Sequence, residues 1–168
     1  MQATICVNGR DTRFLITADS VSNEWQRIVT ITRIHNNEER LGWDIFKIPH
    51  HCSYRSMSEE KGTDKTIPTA EFQWLLDQGA KRSVMISTSW EIPNTDSDDM
   101  QPPHLQTHRR YKETADDLDG DLVVTMEHPS KKQPKRTVVT LDGNGPTLIK
   151  STESGAAIIT SNKSPRMG

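Results

Sequence analysis

The chain has 168 residues, of which 32% are hydrophobic, and a mean hydropathy of −0.72, which is polar for a self-sufficient globule of this length. Its 21 basic and 23 acidic residues leave a formal charge of −2, so no global field directs it to nucleic acid or to an anionic membrane, and only local patches could do so. Cys6 and Cys52 stand far apart in no CxxC arrangement, and no apolar run is long enough for a signal peptide or a membrane helix. The expectation is therefore a reducing, cytoplasmic location, with no disulfide and no membrane partner.

In chain order, "ATICV" and "RFLITAD" are β-rich runs joined by "NGR", an Asn-Gly turn signal, so residues 3 to 18 are predicted as a hairpin. "SNEWQRIVTITRI" follows, with Trp25, Ile28 and Val29 at helical spacing behind a Ser22 or Asn23 cap, and "LGWDIFKI" returns to strand. "SYRSMSEEKGTDKTIP" reads as a mobile polar surface loop. "TAEFQWLLDQGA" reads as a helix with Phe72, Leu75 and Leu76 on one face and Gly79 as its stop. The short strand "RSVMIST" leads through an acidic, proline-bearing loop to a helix over about residues 104 to 118. "DLVVTM" and "RTVVTL" are then predicted as paired strands around the basic turn "EHPSKKQPK", and residues 151 to 168 as a loose tail. Alternating strands and helices over residues 1 to 150 predict an α/β fold.

Two predicted strand ends carry chemistry. "FLITAD" ends on Asp19 and "DIFKIPHH" on His50 and His51, and the carboxyl ends of strands are where open α/β sheets place ligands. A carboxylate and neutral imidazoles converging there suit Zn²⁺, Mn²⁺ or Fe²⁺. The plainer alternative is Asp19 as a helix cap and the two histidines as loop residues.

These runs resemble a known family. "RFLITADSVSNEW" is similar to the "fLLTGDa" element, and "DIFKIPHHCSYRS" to the "HHGS" element, of metallo-β-lactamase-fold hydrolases of the ComEC-like branch, the type appended to DNA-uptake competence channels. Asp19 and His50 also follow in the right order and spacing. "VMISTSWEIPNTDSDDMQPPHLQTHRRYKE" resembles that family's later strand, loop and helix, and the likeness spans roughly residues 3 to 126. The resemblance implies that Asp19 bridges two metals, that His50 is the terminal ligand, and that His51 competes for that place or transfers protons, so that Asp19 and His51 would be catalytic. It places Ser53 and His104 at the substrate, Ser53 also holding its loop by local hydrogen bonds and His104 at the pocket rim.

The departures from the family pattern set the rest of the expectation. Ala18 and Cys52 stand where the family has glycine, and Cys52 reads as a partly buried, inert thiol. The family's HxHxDH element, which supplies most of the metal ligands, is absent from the chain. The implied fold is thus the C-terminal half of an αββα sandwich. The implied activity is hydrolysis of a phosphodiester by water activated on one or two metal ions, zinc first and manganese or iron as alternatives. The implied partners are a chain carrying the first half of the fold or a second copy, with nucleic acid as a further partner. A rival from another class is a non-catalytic binding module using its basic helix and hairpin.

Lesser features read as surface or core. "THRRYK" and "KKQPKR" are basic stretches that could touch phosphates, with solvated surface the plainer reading. Asp96, Asp98 and Asp99 form an acidic loop without the glycine and closing glutamate of a calcium-binding loop. Trp25, Trp43, Trp74 and Trp90 read as core or interface aromatics, and His35 and His128 as surface groups.

Overall fold

A computed structural model describes residues 1 to 95 and 101 to 150. The first two strands, β1 (Gln2–Val7) and β2 (Arg10–Leu15), pair antiparallel with Val7 opposite Arg10. Asn8 and Gly9 between them take φ of +50° and +78°, the left-handed pair that a two-residue hairpin turn requires. Helix α1 (Ser22–Ile34), β3 (Trp43–Lys47), α2 (Ala70–Leu76), β4 (Gly79–Ser87), α3 (Leu105–Asp117) and β5 (Asp121–Val124) then alternate. The five strands lie in the order β1-β2-β3-β4-β5, and β2 to β5 are mutually parallel.

Each crossover from β2 to β5 advances the sheet in the same direction. Right-handed connections that never reverse must deposit their helices on one face. Accordingly Trp25 and Val29 of α1, Phe72, Leu75 and Leu76 of α2, and Tyr111 and Ala115 of α3 form one core with Leu15, Phe46, Met85 and Val124 of the sheet. On the opposite face a smaller cluster joins Val84 and Val123 to Leu148, with Ile86 and Val139 packed against it. Leu148 and Val139 belong to a second hairpin, β6 (Val139–Asp142) and β7 (Gly145–Leu148), and β7 touches β2, β3 and β4.

Several local expectations are corrected. The α1 cap is Val21, and Glu24 Oε2 accepts the Val21 N–H at 2.9 Å. Asp77 caps α2, while Gly79 opens β4; a Cβ there would lie 2.5 Å from Trp43 Cζ2, so close packing explains the glycine. The strand containing "DLVV" pairs with β4, and only the last part of "RTVVTL" forms a strand, whose partner is β7. The signal for that second hairpin is "LDGNGPTL", whose turn is held by Asn144 N–H donating to Asp142 Oδ1 at 2.7 Å and has Gly145 at φ +111°. The polar loop before α2 is tied down: Thr69 N–H donates to Met57 O at 2.8 Å, Arg109 meets Asp64 at 2.6 Å and Lys65 meets Glu113 at 2.6 Å.

Candidate functional site

The carboxyl ends of β2, β3, β4 and β5 lie along one edge of the sheet because these strands are parallel and adjacent. Asp19 follows β2, His50 and His51 follow β3, Thr88 follows β4, and Thr125 follows β5. Backbone and side-chain bonds stitch the first two ends together: His50 N–H donates to Ala18 O at 3.1 Å and Thr17 Oγ1 donates to Lys47 O. The C-terminal end of β3 is held to β4 by Ile48 N–H donating to Ile86 O at 2.8 Å.

The chain then turns sharply. His50, His51 and Cys52 all have positive φ, +48°, +53° and +65°, a left-handed run made by non-glycine residues. Such a conformation costs about 1–2 kcal/mol per residue and persists only where its surroundings over-determine it. Here Ser53 N–H closes onto His50 O at 2.9 Å, Ser56 Oγ donates to Ser53 O at 2.6 Å, and His104 N–H donates to Cys52 O at 3.1 Å. The Cys52 side chain is wholly buried, and burial pushes its thiol far above the ordinary value, against a smaller opposing effect of a Ser87 hydrogen bond. Burial thus disfavours the thiolate, the form in which a cysteine acts as a nucleophile.

The turn presents His51 to Asp19. His51 Nε2 lies 3.6 Å from Asp19 Oδ1, with the two side chains 52% and 65% exposed. On the other side of the ring, His51 Nδ1 is 2.7 Å from Thr88 O. A carbonyl only accepts, so Nδ1 carries the proton of that bond and Nε2 faces the carboxylate. A proton on Nε2 makes the contact an ion pair with the carboxylate, and an Nε2 lone pair beside that carboxylate offers two donors to a cation. Two ligands on one tetrahedral ion with bonds of about 2.1 Å stand about 3.4 Å apart, close to the observed separation. A backbone carbonyl fixing the distal ring nitrogen is also how metal-binding histidines are commonly oriented.

The other expected site residues lie elsewhere. His50 is part-buried, and its Nδ1 is enclosed without a hydrogen-bond partner; His51 is the imidazole that meets Asp19. Ser53 is buried and its Oγ accepts the Arg55 N–H at 3.3 Å, so it supports the turn. His104 is 4% exposed, packs edge-on against Tyr54 with ring centroids 5.0 Å apart, and immediately precedes α3. Among the described residues no group of three or more His, Cys, Asp or Glu side chains is placed to hold a metal ion. The pair Asp19 and His51 therefore suits two positions of a metal shell and is too small a set to hold an ion by itself. Asp96, Asp98 and Asp99 lie outside the described residues.

A cleft of about 510 Å³ opens beside His51, lined also by Thr88, Ser89, Trp90, Thr125 and Met126. Thr88, Ser89, Thr125 and Met126 are not singled out by the sequence reading, although the strand-end rule that singles out Asp19 and His51 applies equally to them. Trp90 is 72% exposed and so is no core aromatic, while Trp25 and Trp43 are buried and Trp74 lies under the Arg33 guanidinium at 5.4 Å. His128 is buried and His35 exposed. The basic helix is neutralised in place, since Arg109 pairs with Asp64, Arg110 with Glu113 and Lys112 with Asp116. The chain matches no protein-family model, no curated protein and no solved structure. None of the described helices is long and apolar enough to cross a membrane.

Proposed function

We propose that this chain carries the C-terminal share of the active site of a metal-dependent hydrolase of the metallo-β-lactamase fold, ComEC-like branch, acting on a phosphodiester in the cytoplasm. The observation that carries the reading is the meeting of Asp19 and His51 at 3.6 Å across two parallel strand ends, with His51 oriented by Thr88 O. Two further features support it. The three α-helices among the described residues lie on one face of the sheet, as in one half of an αββα sandwich. The backbone at Cys52, where the resembling family has glycine, takes a glycine-like φ of +65°.

In this reading Asp19 and His51 are ligands, with His51 replacing His50 as the terminal imidazole. The remaining donors come from the first half of the fold or from a second copy of this chain. A bound zinc, manganese or iron ion would supply Lewis acidity and activated water. The residues of this chain orient the ion's ligands and line the cleft in which a substrate lies.

The test is metal content per chain after purification without chelators, together with hydrolysis of bis(p-nitrophenyl) phosphate, for the wild type and for Asp19→Ala and His51→Ala. Bound metal and turnover, both lost by orders of magnitude in the variants, support the reading. Metal retained equally by the variants contradicts it. No metal and no turnover in the wild type would favour the second reading, a non-catalytic binding module, for which the lack of a third donor among the described residues speaks.

A further inference from the structure

The site leaves one feature unused. Trp90 exposes 72% of its surface on the wall of the cleft that His51 also lines. Its backbone is nonetheless pinned on both sides. Ser87 Oγ and Ser89 Oγ, both buried, lie 2.8 Å apart, and Ser89 Oγ donates to Trp90 O at 3.0 Å. Two residues further on, the side chain of Ile92 is buried and its N–H donates to Glu127 Oε1 at 2.8 Å. A large planar ring is thus held out into solvent by a fixed strand end, which limits the ordering cost of stacking something on it.

The same anchor joins the ring to a source of positive charge. Glu127 Oε1 also takes Lys131 Nζ at 2.9 Å, so the basic segment after β5 is tied to the segment bearing Trp90. Glu127, with a smaller contribution from Glu91, holds the Lys131 ammonium above its ordinary value and uses up that charge. Lys132, Lys135 and Arg136 are exposed and form no ion pair among the described residues. The cleft lining includes neutral hydrogen-bonding side chains in Thr88, Gln101 and Thr125. An exposed indole, neutral polar groups and unpaired cations are what an unpaired nucleobase and its phosphates require.

We propose that Trp90 is a base-stacking platform, and that the cleft beside His51 takes single-stranded nucleic acid, one base lying on the indole and the backbone running toward Lys132, Lys135 and Arg136. This rests on the phosphodiester reading for its substrate class and adds the residue that selects an unpaired base. Binding itself needs no metal, so it can be measured apart from hydrolysis.

The experiment is titration of the whole chain, in EDTA, with a fluorescently labelled oligothymidylate and with an abasic deoxyribose-phosphate oligomer of the same length. The expected results are quenching of tryptophan emission by the oligothymidylate, a loss of about 5- to 150-fold in affinity for Trp90→Ala, and near-wild-type binding for Trp90→Phe. The abasic oligomer should bind the wild type as weakly as the oligothymidylate binds Trp90→Ala. Lys132→Glu with Lys135→Glu should weaken both oligomers and flatten the salt dependence. Equal binding of both oligomers, an unchanged Trp90→Ala, or no binding by the wild type overturns the proposal. Stacking without any metal-dependent turnover would sink the hydrolase reading alone, and turnover indifferent to Trp90 would sink this one alone.

Discussion

At the scale of single residues, the two adjacent histidines behave differently. His51 reaches Asp19 and Thr88, whereas His50 turns a nitrogen into the protein without a partner. His51→Ala should therefore cost metal affinity or turnover at least 10-fold more than His50→Ala, which should act mainly on stability; metal titration and thermal melts of both variants decide this. Asp19 was legible in the sequence as a strand-terminal carboxylate. The choice between His50 and His51 was not, because the left-handed turn that settles it is made by His, His and Cys with no glycine to announce it. The cysteines give a second test. Burial keeps Cys52 protonated, and a hydrogen bond to Asp11 raises the exposed Cys6 thiol above its ordinary value. Iodoacetamide should label Cys6 alone in the native protein, faster as pH rises and faster still in Asp11→Asn, and Cys52 only after denaturation.

At the scale of elements, the parallel register of β2 and β3 depends on a buried acid. Asp44 is nearly inaccessible, and its Oδ2 accepts both the Arg13 backbone N–H at 2.8 Å and Arg13 Nε at 3.1 Å, while Arg10 lies 3.7 Å away. Asp44→Ala should destabilise the fold by about 1.5–3 kcal/mol, read as a lowered urea midpoint, because charged hydrogen bonds are lost and Arg13 is left without them. Helix α3 carries a pH effect. Burial lowers the His108 imidazole below its ordinary value, with Glu127 opposing and Lys112 and Lys131 adding to the shift. The unfolded chain then binds the extra proton first, so stability should hold above about pH 6.5 and decline as pH falls below it. His108→Gln should flatten that decline in urea melts across pH. The helices and the first hairpin were readable from 3.6-residue and Asn-Gly signals. Strand pairing was not: a short apolar run such as "DLVV" does not say whether its neighbour precedes or follows it, and the crossover through α3 decided for β4.

At the scale of the molecule, the one-way winding of the sheet explains both the single helical layer and the row of strand ends that gathers Asp19, His51, Thr88 and Thr125. The opposite face is less open than a bare half-sandwich, since β7 crosses β2, β3 and β4. Among the described residues, exposed apolar side chains recur at helical spacing along α1, at Ile28, Ile31 and Ile34. Sedimentation should accordingly show concentration-dependent association that Ile31→Glu with Ile34→Glu abolishes; a monomer at all concentrations would contradict it. The alternation of strands and helices made the α/β class readable at this scale, but convergence of four strand ends is a property of the assembled sheet and is written in no single segment.

The most direct test of the Asp19–His51 half-site is a zinc titration followed by ring-nitrogen NMR of the six histidines. The account predicts that the His51 Nε2 resonance moves first and that Asp19→Ala abolishes the movement. An unmoved His51, or the same movement in Asp19→Ala, would show that the two residues share no metal and that their meeting at the strand ends is only structural.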